Sequence, residues 1–135
     1  MKFNSQICTS REQSERLLAL GLKKETADMC WIEEWGWDDD KQEPFCTGNY
    51  FVRPIDYVWD DKYINYIHAW SLDRLMELVP HRYGEYCDYA NNFMYYYNIP
   101  LDVVEQFVGE TKYEYLIDCI EWQIKEGYFN KEYMV

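Results

Sequence analysis

The sequence predicts an α+β domain, with about three helices packed on one face of a small antiparallel sheet. Three observations carry that prediction. Helix-capping signals precede apolar residues at helical spacing in three places, and aromatic residues between them alternate at strand spacing. No repeat, low-complexity tract or Ser/Gly linker divides the 135 residues, so 1–135 reads as a single compact domain.

In chain order, Ser10-Arg11-Glu12-Gln13 fits a capping box. The Ser hydroxyl can accept from the amide three residues on, while the Gln side chain reaches back. Leu17, Leu18 and Leu20 supply the apolar stripe, and Gly21 is placed to end the helix in the left-handed conformation. Met29, Trp31, Trp35 and Trp37 then fall on alternate positions, as do Ile55, Tyr57 and Trp59, the period of half-buried strands. The polar run Asp38-Asp39-Asp40-Lys41-Gln42-Glu43-Pro44 between them reads as a loop.

A second helix is expected over 71–79. Ser71 caps it, Leu72, Leu75, Met76 and Val79 recur at three and four, and Pro80 stops it. Segments 82–90 and 93–99 flank Asn91-Asn92, a pair that tolerates the positive φ of a tight hairpin turn. The third helix has the fullest signature. Thr111-Lys112-Tyr113-Glu114 is another capping box, and Tyr113, Leu116, Ile117, Ile120 and Ile124 mark one face before Gly127 closes it. Two stretches are open between readings: 63–70, and 102–108, where Asp102 could cap a short helix ending near Gly109.

Composition narrows the functional classes. Fourteen Tyr, six Trp and six Phe accompany a net charge of −12. The charge is concentrated: residues 31–110 hold five basic and sixteen acidic groups, and 18 of the aromatics lie within 31–97. Such a field repels phosphate backbones and anionic lipid, so neither direct nucleic-acid binding nor membrane attachment is expected. No apolar run spans a bilayer, and the first residues lack a secretory h-region. Five cysteines, at spacings of 16 to 41 residues and without a C-x-x-C, read as small buried hydrophobes of a reducing, cytoplasmic compartment.

Motifs for chemistry are sparse. There is no phosphate-binding glycine loop, G-x-S-x-G elbow, H-E-x-x-H or EF-hand spacing, so no cofactor or metal is expected. The acidic clusters Glu33-Glu34, Asp38-Asp39-Asp40 and Asp60-Asp61 read as solvated loops. His68 and His81 bracket the second helix, which would hold them roughly 15 Å apart, too far to share one metal.

Aromatic surplus is the strongest pointer. Trp31, Trp35 and Trp37 read as core, yet 26 large rings exceed what one small core encloses. Tyr95, Tyr96 and Tyr97 cannot all face inward on one strand. The candidate binding surface is therefore Trp59, Tyr63, Tyr66, Trp70, Tyr95, Tyr96 and Tyr97. A rival reading puts a small-ligand or catalytic pocket between the second helix and the following hairpin, at His68, His81, Tyr83 and Cys87 beside Trp70.

Three blocks carry a resemblance: 17–22 with 25–29, then 69–80 from Ala69-Trp70-Ser71 to Leu78-Val79-Pro80, then 120–130 from Ile120-Glu121-Trp122 to Tyr128-Phe129-Asn130. Over about a third of its length the chain resembles a set of short proteins, of no established activity, encoded by gut Bacteroides-type bacteria and their phages. The blocks are caps, stripes and stops, so the resemblance implies a shared fold and a phage or mobile-element provenance. The segment 38–67 is particular to this sequence.

The expected function is a non-enzymatic, cytoplasmic protein that binds another macromolecule through its acidic, aromatic middle, a basic protein being the partner that this charge suits. In one version the negative surface imitates phosphate on a host nucleic-acid-binding protein. The alternative is the pocket reading above, and exposed tyrosines also allow a homodimer.

Overall fold

Each capping signal starts a helix in the computed structural model, which describes residues 6–55, 66–80 and 82–135. Helix α1 is Arg11–Ala19, α2 is Leu72–Leu78 and α3 is Lys112–Glu126. At α1 the box is reciprocal: Gln13 N–H donates to Ser10 Oγ at 3.1 Å, and Ser10 N–H donates to Gln13 Oε1 at 2.9 Å. At α3 Thr111 Oγ1 accepts from Glu114 N–H at 3.2 Å, but the Glu114 carboxylate reaches to Glu110 N–H at 2.9 Å, one residue before the cap. Gly21 and Gly127 follow their helices at φ 104° and 81°, where a Cβ would be strained.

The α+β class is as expected, and the strands divide between two sheets. Strands β1 (Met29–Asp38), β2 (Glu43–Pro54) and β3 (Tyr66–Ala69) form an antiparallel sheet in the order β2-β1-β3. Strands β4 (Glu85–Tyr89), β5 (Phe93–Asn98) and β6 (Val103–Val108) form the second, in the order β4-β5-β6.

Several expectations change. The polar run 38–44 is only partly a loop: β1 ends at Asp38 and β2 begins at Glu43. Strand β2 carries Pro44, Gly48 and Pro54, which hid its alternation. Its register also shifts, Glu33 facing Tyr50 while Trp35 faces Cys46, so Glu34 stands opposite Thr47, Gly48 and Asn49. Of the expected strand at 55–59, Ile55 follows β2 with its N–H on Asp28 O at 3.0 Å, and Tyr57 and Trp59 lie outside the described residues.

The Asn91-Asn92 hairpin forms, closed by Ala90 N–H to Phe93 O at 2.9 Å, but neither Asn adopts positive φ. The open stretches resolve as strand: 66–69 is β3 and 103–108 is β6. Asp102, at φ 54°, ends the turn before β6 rather than capping a helix.

The core lies around α3, between the second sheet and α2. That position buries Tyr115, Cys119 and Gln123 as well as the predicted Leu116, Ile117 and Ile120, a wider face than one stripe. From the sheet, Met94 and Tyr96 enter fully; Tyr96 meets Trp122 edge-on at 5.6 Å. Trp70 is also fully buried, its indole donating to Thr26 Oγ1 at 2.9 Å.

The fully buried Thr9 joins the parts. Its N–H donates to Trp70 O at 2.8 Å and its hydroxyl accepts Trp70 N–H at 3.0 Å. Its carbonyl accepts the Trp31 indole N–H at 2.8 Å, and its hydroxyl lies 2.7 Å from that of Ser14 on α1.

Candidate binding surface

The first sheet is uneven in length. Among the described residues β3 pairs with residues 29–32 of β1, and 33–38 run on with β2 as an arm. Near the base, Cys30 and Ile32 are buried and the Arg11 guanidinium lies 4.3 Å over the Tyr50 ring. Beyond it both faces meet solvent. Trp35 and Trp37, two residues apart on one face, are 44% and 57% exposed; on the other, Phe45 is 43% exposed and its ring covers Gly36. A Cβ at Gly36 would stand 2.9 Å from that ring, so the glycine is what lets Phe45 lie flat across the strand.

These rings are flanked by acid. Glu33, Glu34, Asp38, Asp39, Asp40 and Glu43 line the arm and its turn, against the single cation Lys41. Asp38 Oδ1 accepts the N–H groups of Asp40 and Lys41 at 3.0 and 3.2 Å, a side-chain turn that fixes the tip. Cys46, opposite Trp35, is exposed and donates its S–H to Glu33 Oε1 at 2.5 Å. That hydrogen bond to the carboxylate raises the thiol pKa, so accessibility is not matched by thiolate character.

A second exposed aromatic surface lies on the face of β4-β5-β6 opposite α3. Alternation puts Tyr95 and Tyr97 there, beside Phe93 and Tyr86. Tyr86 and Tyr97 stack across the strands at 4.5 Å, and Phe93 meets Tyr95 edge-on at 5.7 Å. From β6 this face receives Val104 and Val108.

The sequence-predicted surface is therefore redistributed. Trp70 and Tyr96 are fully buried and belong to the core, Trp70 just after β3 where Thr9 and Thr26 bond it and Tyr96 because α3 covers its face of β5. Tyr95 and Tyr97 are half-buried on the open face, and Tyr66 is exposed on β3 in the other sheet. Trp59 and Tyr63 lie outside the described residues. The correction runs the other way for Trp35 and Trp37, expected in the core and exposed, with no element among the described residues packed over them. Cys46 likewise departs from the buried pattern, which Cys8, Cys30 and Cys119 follow.

The pocket residues are dispersed. His68 is half-buried on β3, where burial and then Lys24 lower its pKa. Cys87, on β4 of the other sheet, packs against the core under α3, and its burial pushes the thiol up to about 11. Tyr83 is fully exposed in the turn before β4, and His81 lies outside the described residues. An open hollow of ≈ 760 Å³ is lined instead by Lys23, Lys24, Arg74 and Tyr133, with Glu25 and Glu132 offsetting part of the charge.

Among the described residues no three His, Cys, Asp or Glu side chains are placed to hold a metal ion, and no helix is long and apolar enough to cross a membrane. No family model, curated protein or solved structure matches the chain.

Proposed function

We propose that this is a non-enzymatic, cytoplasmic protein that binds a basic macromolecule, most simply a protein, through the β1–β2 arm. The observation that carries the reading is the exposure of Trp35 and Trp37, two residues apart on one face of the β1–β2 ribbon, among acidic neighbours. Exposed tryptophans supply large, rigid contact area, and the carboxylates steer a cationic partner toward them. The same charge disfavours a phosphate backbone as the ligand. An accessory role in a phage or mobile element is the setting that the sequence resemblance supports. The dispersal of Trp70, His68, Tyr83 and Cys87 weighs against the pocket reading.

The test is a pull-down from host extract at low and high salt, using the wild type, Trp35→Ser/Trp37→Ser, and Asp39→Asn/Asp40→Asn/Glu43→Gln. The expected partner is basic, is lost with the tryptophan variant and is released as salt screens the carboxylates beyond roughly 10 Å. A partner held equally by all three proteins at both salts would sink the proposal.

A further inference from the structure

The second sheet ends on a strand whose backbone is open. Strand β6 pairs with β5 alone among the described residues, and Val104, Glu105, Gln106 and Val108 are all exposed. The direction of its free groups follows from the ladder. Ala90 N–H bonds Phe93 O at 2.9 Å and Ile99 N–H bonds Gly84 O at 2.9 Å, so the odd residues of β5 bond toward β4. The even residues therefore bond toward β6, as Gly109 N–H to Asn92 O at 2.9 Å shows at the end of the ladder. Their partners on β6 are Val103, Glu105 and Phe107. Alternation then leaves the N–H and C=O groups of Val104, Gln106 and Val108 pointing away from the sheet.

Edges of this kind are normally blunted by lysine, proline, a bulge or a covering element. Strand β6, Val103-Val104-Glu105-Gln106-Phe107-Val108, has no proline and no cation, and its register with β5 runs without a shift. Its one charge is Glu105.

We infer that β6 is a self-association edge, pairing antiparallel with β6 of a second copy about a two-fold axis through Gln106. The register is set by the residues. Centred on Gln106, Val104 of each copy faces Val108 of the other, and every outward N–H and C=O group of these three residues meets a partner. On the other face Glu105 lies opposite Phe107. A shift that centred the pair on Glu105 would set like charges directly opposite, a destabilising arrangement.

Charge distribution favours a second copy as the occupant. A chain at −12 repels its own kind over most of its surface, but strand β6 itself carries only Glu105 and the adjoining Tyr-rich face only Asp88 among the described residues, with Asp102 and Glu110 in the turns beyond the strand ends. A basic partner finds little to bind here, whereas an identical strand finds a complement. The β4 edge is less suited, because Glu85 and Asp88 would bring four carboxylates to the seam. Pairing at β6 extends the sheet to six strands, with Tyr86, Tyr95 and Tyr97 of both copies on one continuous face and α3 of each on the other. The inference does not rest on the arm, and its test is separate.

Sedimentation velocity of the full chain between about 10 μM and 1 mM, the range of weak small interfaces, is expected to show a monomer–dimer equilibrium. Gln106→Pro is the discriminating variant. Its missing N–H is one that faces outward, so the monomer keeps its circular dichroism while the dissociation constant rises at least about tenfold. Gln106→Cys in a Cys46→Ser background is expected to form an oxidised dimer across the axis, and Glu110→Cys in the same background is not. A wild type that stays monomeric to 1 mM overturns the inference, as does a dimer that survives Gln106→Pro in a folded chain. Should that variant unfold, Val104→Lys/Val108→Lys decides: a dimer unchanged by two lysines on the edge overturns the pairing.

Discussion

The tip of the first sheet and the body of the second use the same material, large rings at every other residue, and treat it differently. In β5 one set of alternate residues, Met94 and Tyr96, is sealed by α3, while Tyr95 and Tyr97 stay half-buried on the open face. In the arm neither set is sealed: Trp35 and Trp37 are exposed on one side and Phe45 on the other. At the base, by contrast, β3 and Trp31 are tied in. Strand spacing thus specifies two faces, and a neighbouring element decides whether either becomes core.

The sharpest way to break that comparison is to delete one ring from each region. Tyr96→Ala is expected to destabilise the fold by about 3–5 kcal/mol, the cost of a large cavity under α3, whereas Trp37→Ala should change stability by less than about 0.5 kcal/mol. Urea denaturation reads both. Equal losses would mean that the arm belongs to the core after all.

A smaller effect separates the base of the first sheet from its tip. His68 is held below its ordinary pKa by burial, so the unfolded chain takes up the proton first. Stability is therefore expected to fall as pH drops from about 6.5 toward the lower folded value, and to be complete above that range. In His68→Gln the slope of melting temperature between about pH 7 and 5.5 should flatten. An unchanged slope would assign it to other groups.

The mildest test is chemical. Glu33 raises the pKa of the exposed Cys46, so alkylation near pH 8 should proceed more slowly at Cys46 than at an unperturbed thiol. Glu33→Gln should speed it without altering the fold. A rate indifferent to that change would mean that the hydrogen bond is not kept in solution.

What was legible in the sequence was local. Ser10, Ser71 and Thr111 announced their helices because a cap and its bond lie within one turn of chain. The hairpin at Asn91-Asn92 was legible for the same reason, though its turn dispenses with positive φ. What failed depended on distant partners. Trp35 and Trp70 are the same residue type, yet one is exposed and one is the largest fully buried side chain among the described residues. Nothing near either in sequence says that the first is left uncovered, or that Thr9 and Thr26 bond the second. Strand β2 was missed because its prolines and Gly48 mimic loop chemistry, while β1 beside it supplies the pairing that overrides them.

Thr9 bears on how the molecule comes apart. One buried residue holds Trp31 of the first sheet, the Trp70 lead-in to α2, and Ser14 of α1. Loss of that anchor would free all three together, so the base of the first sheet and the helical layer should open as one cooperative unit. Amide protons of Thr9 and Trp70 would then exchange with deuterium only through global unfolding, while those between Trp35 and Cys46 exchange through local fraying. The ribbon would then open and close on its own timescale while the base stays closed.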